Sequence, residues 1–258
     1  MDKKSFLSQY SEEKQFTVAK IWDNILLCQE IEYPIYLDEF YSENILIILE
    51  KYVTRLRVSI HKKGLNENCE KKVVCIAPNS FELLETKFPV KYFEINGKNK
   101  FKKLEHKDFL GTIMSLGIKR ELMGDLIVKD SICYGIIKEE LLELLKEKIE
   151  LVGKIPVKIQ EIGELKIPDN EFKERVEILA SLRLDVLVSE IIQKSRTEAI
   201  KYLEAGEVFL NYEVEKKNSK LISEGDTLTV RKKGKFIIEK ILEETKKGKI
   251  KVSIKQYI

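Results

Sequence analysis

The stretch SLRLDVLVSEIIQKSRTEAIKYLEAGEVFLN, residues 181–211, carries two short helical periods, a glycine stop and the start of a strand. Leu184, Leu187, Val188, Ile191 and Ile192 recur on one face, as an amphipathic helix requires. Ser195 then reads as an N-cap, Glu198 completes a capping box, and Ala199, Ile200 and Leu203 form the apolar side of a second helix. Gly206 ends it. Arg196 takes the first helical position, where the macrodipole disfavours a cation by about 0.3–1 kcal/mol unless an anion compensates. A phosphate is such an anion, because helix-start amides and a guanidinium fork bind it together.

Strand patterns follow in EVFLNYEV, EGDTLTVR, FIIEKILE and KIKVSIKQYI, with Asn211 opening a turn. Residues 181–258 are therefore expected to pack two helices on a small, bent β-sheet. Arg183 precedes the first helix, Lys194 precedes the cap, and Lys201 follows Arg196 by five positions, close enough for one groove. The turn RKKGK adds Arg231, Lys232, Lys233 and Lys235. Such a surface would grip phosphates and read shape more than sequence. Spacing alone leaves an RNA-facing groove and a merely solvated face open alike.

Working outward, residues 79–167 give the order strand, helix, strand, strand, helix, strand. The elements are VKYFEIN, HKDFLGTIMSLG stopped by Gly117, the hairpin GDLIVKDSICYGIIK, EELLELLKEKIELVG stopped by Gly153, and PVKIQEI. That is the split βαβ order of ferredoxin-like and RNA-recognition domains. Of the aromatics on its central strands, Tyr92, Phe93 and Tyr134, core packing or an interdomain face is favoured over base stacking. Gly117 and Gly124 read as a helix stop and a tight turn, Asp125 as a tie for that turn, and Lys119 and Arg120 as candidate RNA contacts.

Residues 1–78 read as a mixed, largely helical domain. Phe16, Ala19, Ile21, Trp22, Ile25 and Leu26 share helical spacing, and YSENILIILEKYV is a second helix with Ser42 as its cap. Strands are expected in TRLRVSIHKKG, ending at Gly64, and in KKVVCIAP. The charged, proline-bearing residues 168–180 read as an exposed linker. The fold class is thus α+β: an N-terminal α/β segment, a ferredoxin-like (RRM-like) domain at 79–167, and the two-helix module at 181–258.

The 258 residues carry a formal net charge of +3, and residues 181–258 alone hold 17 Lys and Arg against 12 Asp and Glu, a net of +5. The excess is C-terminal, as suits a polyanion-binding module. The apolar run ILIIL at 45–49 falls far short of the ~20 residues that span a bilayer. The start MDKKSFLSQYSEEKQF has no signal-peptide core, so a cytoplasmic protein without membrane contact is expected. Cys28, Cys69, Cys75 and Cys133, with His61 and His106, show no metal-ligand spacing. Neither a P-loop, a G-x-S-x-G nor an H-E-x-x-H occurs. No catalytic residue, metal or cofactor is expected.

Residues 182–231 resemble the small RNA-binding module named after the fourth protein of the small ribosomal subunit. The resemblance lies in Arg183-Leu184-Asp185, in Ser195-Arg196-Thr197-Glu198-Ala199, in the run from Gly206 to Asn211, and in Glu224-Gly225-Asp226; Phe209-Leu210 is slightly off the usual pattern. HKDFLGTIMSLGIKRELMGDLIV, residues 106–128, is similar to the signature of the YlmH family, with Lys107 where arginine is common. The resemblance implies RNA contacts at Arg183, Ser195, Arg196, Lys201 and Asn211, and less firmly at the 231–235 turn. It also implies association with rRNA of the large ribosomal subunit and with stalled peptidyl-tRNA in ribosome-associated quality control, beside the factor that performs alanine tailing. Two other classes stand beside this expectation. A pseudouridine-synthase-type enzyme would use an aspartate in a G-R-L-D string, but the only R-L-D here follows serine and leucine and has a helix-start role. A cell-division scaffold would expose apolar residues among Trp22, Ile25, Leu26 and Leu27.

Overall fold

Apolar residues three and four apart make one long helix of residues 12–31, and the first part of the chain builds on it. The computed structural model describes residues 2–67, 69–81, 87–99, 103–245 and 248–257. Its first elements are α1 (Lys3–Leu7), α2 (Glu12–Ile31), β1 (Ile35–Ser42), α3 (Glu43–Glu50), α4 (Val53–Leu56), β2 (Val58–Gly64) and β3 (Lys71–Pro78). The strands form an antiparallel sheet in the order β1-β3-β2. Val18, Ile21, Trp22, Ile25 and Cys28 of α2 are buried with Phe6, Leu46 and Leu49. Phe16 and Leu26, expected on the same face, are 75% and 47% exposed, because about 100° of rotation per residue carries them off the stripe. Ser42 does precede α3, but its hydroxyl bonds Asn44 Oδ1 at 2.6 Å rather than a helix amide.

The next elements are β4 (Val90–Asn96), α5 (His106–Ser115), β5 (Met123–Lys129), β6 (Ile132–Lys138), α6 (Leu142–Lys148), β7 (Leu151–Val152), β8 (Ile155–Pro156) and β9 (Lys158–Ile162). Their four-stranded antiparallel sheet has the order β5-β6-β4-β9. This is the strand order of a ferredoxin-like fold, with the small hairpin β7-β8 added before the last strand. Phe93, Ile95 and Ile137 of one sheet face pack with Phe109, Ile113, Leu142 and Leu145 of the two helices. Gly153 does not stop α6 as expected. The helix ends at Lys148, and Gly153 (φ +61°) lies in the turn joining β7 and β8.

These two segments, expected as separate domains, lie within one compact unit, Met1–Asp169. Phe40, Leu65, Cys69 and Val73 meet Ile136, Val90 and Tyr92 on the sheet face opposite the helices. Gly124 lies in this joint, where an added Cβ would stand 2.4 Å from Ile136 Cγ2 and 3.1 Å from Phe40. Polar ties reinforce it. The Asp125 carboxylate accepts the backbone N–H of Glu70 and, at 3.0 Å, that of Lys71. The Tyr92 hydroxyl donates to the Gly64 carbonyl at 3.2 Å, and Lys138, only 4% exposed, donates to the Leu37 carbonyl at 3.3 Å.

The second unit, Asn170–Ile258, contains β10 (Phe172–Leu179), α7 (Leu184–Ile192), α8 (Arg196–Glu204), β11 (Val208–Leu210), β12 (Glu213–Val214), β13 (Thr227–Val230), β14 (Gly234–Glu244) and β15 (Ile250–Tyr257). All neighbours in the order β10-β15-β14-β13-β11-β12 are antiparallel. The expected linker at 168–180 is therefore corrected, because β10 pairs along its whole length with β15. Register shifts between β14 and β15 near Lys240 and Ile241 are the kind that bend a sheet. Leu187, Val188, Ile191, Ala199 and Leu203 of the helix pair pack on Val208, Leu228, Val230, Phe236 and Ile254.

Candidate nucleic-acid interface

Asp185 lies in the first turn of α7, and its side chain is wholly buried. Such a carboxylate needs partners, and two arginines supply them. Arg183 approaches through Nε (3.1 Å to Oδ1) and Nη2 (3.0 Å to Oδ2), and Arg196 donates Nε to Oδ2 at 2.8 Å. Burial pushes the Asp185 carboxyl up, but the hydrogen bonds and charges of Arg183 and Arg196 outweigh it and hold the group below the ordinary carboxylate range. The anion that compensates Arg196 at the start of α8 is thus built into the protein. Half of the Arg196 side chain (51%) and a third of that of Arg183 (33%) stay exposed. Sequence reasoning gave Asp185 only a helix-start role. The available signal was a buried-type position carrying a carboxylate between two arginines.

Ser195 caps α8 by accepting the Glu198 N–H at 3.3 Å. The second half of the expected capping box is missing, since Glu198 instead pairs with Lys201 at 2.6 Å. Lys201 and Arg196 also do not share one groove, because a spacing of five turns them roughly 140° apart around the helix. Asn211 is committed to the fold. Its Nδ2 donates to Asp226 Oδ1 at 2.8 Å, its Oδ1 accepts the Thr227 N–H at 2.9 Å, and its φ of +50° starts the turn between β11 and β12. These bonds give the amide a structural role at the position where an RNA contact was expected. Lys194 is exposed. Arg231, Lys232 and Lys233 are exposed in the turn between β13 and β14, and their side chains form no ion pair among the described residues. Lys235 is held inward, with Nζ 4.3 Å from the Tyr257 ring centroid and 5.2 Å from that of Tyr212.

In the first unit, Lys119 is exposed, whereas Arg120 is partly buried and bound to backbone. Its Nη1 donates to the Met123 and Gly124 carbonyls at 2.8 and 2.9 Å, clasping the start of β5 beside Asp125. Asp125 ties β3 rather than its own turn, as its two bonds to residues 70 and 71 demonstrate. Phe93 is fully buried, Tyr92 is partly buried in the joint, and Tyr134 is half-buried outside it.

Residues 84–165 match the family model described as "Putative RNA-binding domain in YlmH". Over 257 residues, 99% of this chain and 95% of the relative, the sequence is 26% identical to "Ribosome-associated protein quality control protein P2" of Bacillus subtilis (strain 168). The solved structure of "Cell division protein ylmH from Streptococcus pneumoniae" is similar with a TM-score of 0.53 and 25% identity, covering 62% of this chain and 97% of that one. The chain is thus similar to YlmH proteins, with the YlmH domain match confined to residues 84–165. The matched stretch takes in β4 to β9, while the Asp185 pair and the basic turn lie beyond it. The Arg120, Gly124 and Asp125 positions of its signature string serve the joint between β3 and β5. Among the described residues no helix is long and apolar enough to cross a membrane.

Proposed function

We propose that this chain binds rRNA of the large ribosomal subunit through its C-terminal unit and acts, without catalysis, in ribosome-associated quality control. In this reading it engages subunits that retain peptidyl-tRNA and assists the alanine-tailing factor. The observation that carries it is the cationic surface of the second unit. Arg183 and Arg196 are fixed by Asp185 with part of each side chain still in solvent, and Arg231, Lys232 and Lys233 stand exposed on a hairpin turn with no ion pair among the described residues. Supporting it are the RNA-binding description of the matched family and the quality-control name of the Bacillus relative. Lys194, Lys201 and Lys119 are secondary contacts in this proposal. An RNA-modifying reading is disfavoured, because the only aspartate in an R-L-D string is sealed between two arginines and cannot reach a substrate. A cell-division role draws on the name of the Streptococcus relative and on exposed Leu26 and Leu27 of α2, while Trp22 and Ile25 are buried.

The test is co-sedimentation of the full chain with purified large subunits. Arg231→Ala, Lys232→Ala and Lys233→Ala together should abolish most of it with the melting temperature unchanged, and should lower the salt slope of RNA affinity by about 1 per lost phosphate contact. Undiminished co-sedimentation in the triple variant would remove the turn from the interface. Absence of binding by the wild-type chain would overturn the reading as a whole.

A further inference from the structure

The ferredoxin-like sheet has one face on its helices and one face divided between two environments. Antiparallel register aligns side chains across it in rows, because directly opposed residues point to the same side. One row runs Ile136, Tyr92, Ile162 and is closed by the joint: Ile136 and Tyr92 pack on Phe40, Leu65 and Val73. The next row runs Ile127, Tyr134, Glu94, Gln160, and the one after it Lys129, Ile132, Asn96, Lys158. From Tyr134 onward these two rows leave the joint. Glu94, Asn96, Lys158 and Gln160 line an open depression of about 530 Å³ walled by Pro156 and Val157. That volume is in the range that holds a small ligand.

The chemistry of this depression is that of a nucleobase site. Beside the depression, and not part of its lining, Tyr134 offers a half-buried ring directly across from Glu94. Gln160 and Lys158 are exposed, with side chains that make no hydrogen bond or ion pair among the described residues. Asn96 Nδ2 reaches Glu94 only at 3.5 Å. A stacking ring, an amide and a carboxylate on an apolar wall, with an ammonium at the rim, match the ring face, edge and phosphate of one unstacked nucleotide. We propose that the uncovered half of this sheet binds a single-stranded RNA base, stacked on Tyr134 and read at its edge by Glu94 and Gln160, with Lys158 on the adjoining phosphate. An ionised carboxylate only accepts hydrogen bonds, so Glu94 favours the amino groups of adenine and cytosine over uracil, whose single N3–H donor is flanked by two carbonyl oxygens that repel the carboxylate. The proposal rests on the RNA-binding reading above, but it assigns a second contact on the other unit, with base preference where the basic turn has none.

The experiment measures binding of the full chain to fluorescein-labelled hexanucleotides of adenine, cytosine or uracil, beside large-subunit co-sedimentation. The wild type should bind the adenine and cytosine oligomers about tenfold more tightly than the uracil one. Tyr134→Ala should weaken the adenine and cytosine oligomers about tenfold, and Tyr134→Phe should retain them. Glu94→Gln should narrow the gap to uracil. Gln160→Ala, at an exposed position, should weaken binding several-fold with the melting temperature kept. Equal affinity for all three oligomers, or wild-type affinity in both Tyr134→Ala and Gln160→Ala, would overturn the base site. If co-sedimentation persisted in that case, the C-terminal reading would stand, whereas loss of co-sedimentation by the wild type would sink that reading instead.

Discussion

Asp185 in the C-terminal unit is surrounded by charge, whereas Asp125 in the first unit is surrounded mainly by backbone. Asp185 is flanked by two guanidinium groups and is held below the ordinary carboxylate range although burial opposes this. Asp125 accepts two amides at the start of β3. Burial pushes its carboxyl up, the Glu70 charge adds to that, and the amides and Arg120 offset only part. The same residue type thus fixes two arginines that still face solvent in one unit, and closes a joint in the other. A buried acid beside partly exposed bases leaves cationic surface in solvent, while an acid on amides is wholly spent on architecture.

The largest effect that tests this contrast is Asp185→Ala. Removing the buried carboxylate that ties two partly exposed arginines should cost the C-terminal unit about 3 kcal/mol, read by denaturant unfolding. A loss below about 1 kcal/mol would mean that water already screens the pair. Gly124→Ala comes next, since its Cβ would meet Ile136 and Phe40 and should cost about 2 kcal/mol in the first unit alone. Asp125→Ala should cost about 1–2 kcal/mol by orphaning the Glu70 and Lys71 amides, seen as faster hydrogen exchange at those two positions.

Acidity should separate the two units by sign. Asp185 has a depressed folded pKa, so its contribution is present above the unfolded value of about 3.9 and is lost as pH falls through the folded one. Asp125 has a raised folded pKa, so its fold binds the proton more tightly and its contribution grows as pH falls toward 4 and shrinks as pH rises. Unfolding of each unit followed by exchange between about pH 3 and 7 should show opposite slopes, and Asp185→Asn should flatten the C-terminal one. Smallest of all, Arg231→Ala, Lys232→Ala and Lys233→Ala together should change stability by less than about 0.5 kcal/mol, because those side chains are exposed and form no ion pair among the described residues.

Which elements were legible in the sequence follows from where each gets its order. The helices α7 and α8 were readable because their cap, apolar stripe and glycine stop are local. The strand β1 was not anticipated, since an irregularity between Tyr36 and Phe40 breaks the alternation that marks a strand. The strand β10 looked like a linker because it is an edge strand with charge on both faces and with Val176 and Ile178 exposed. The run before Gly153 keeps apolar residues three and four apart, yet its last part becomes β7. At the candidate site, Arg196 was conspicuous at a helix start, but its partner lies eleven positions away on another helix. That contact is tertiary, as are the ties of Asp125 to residues 70 and 71, and no local pattern announces them.

The pairing of β10 with β15 also sets the order in which the second unit can be made. Ile250 comes 71 positions after its partner Leu179, and Tyr257 comes 85 after Phe172. A nascent chain emerging from the ribosome presents residues 172–179 long before the strand that receives them exists. Loops of this span close slowly, and they close only once the partner is available. The edge strand is therefore the last ladder to zip, and a translational stall anywhere between residues 180 and 250 leaves it without its partner.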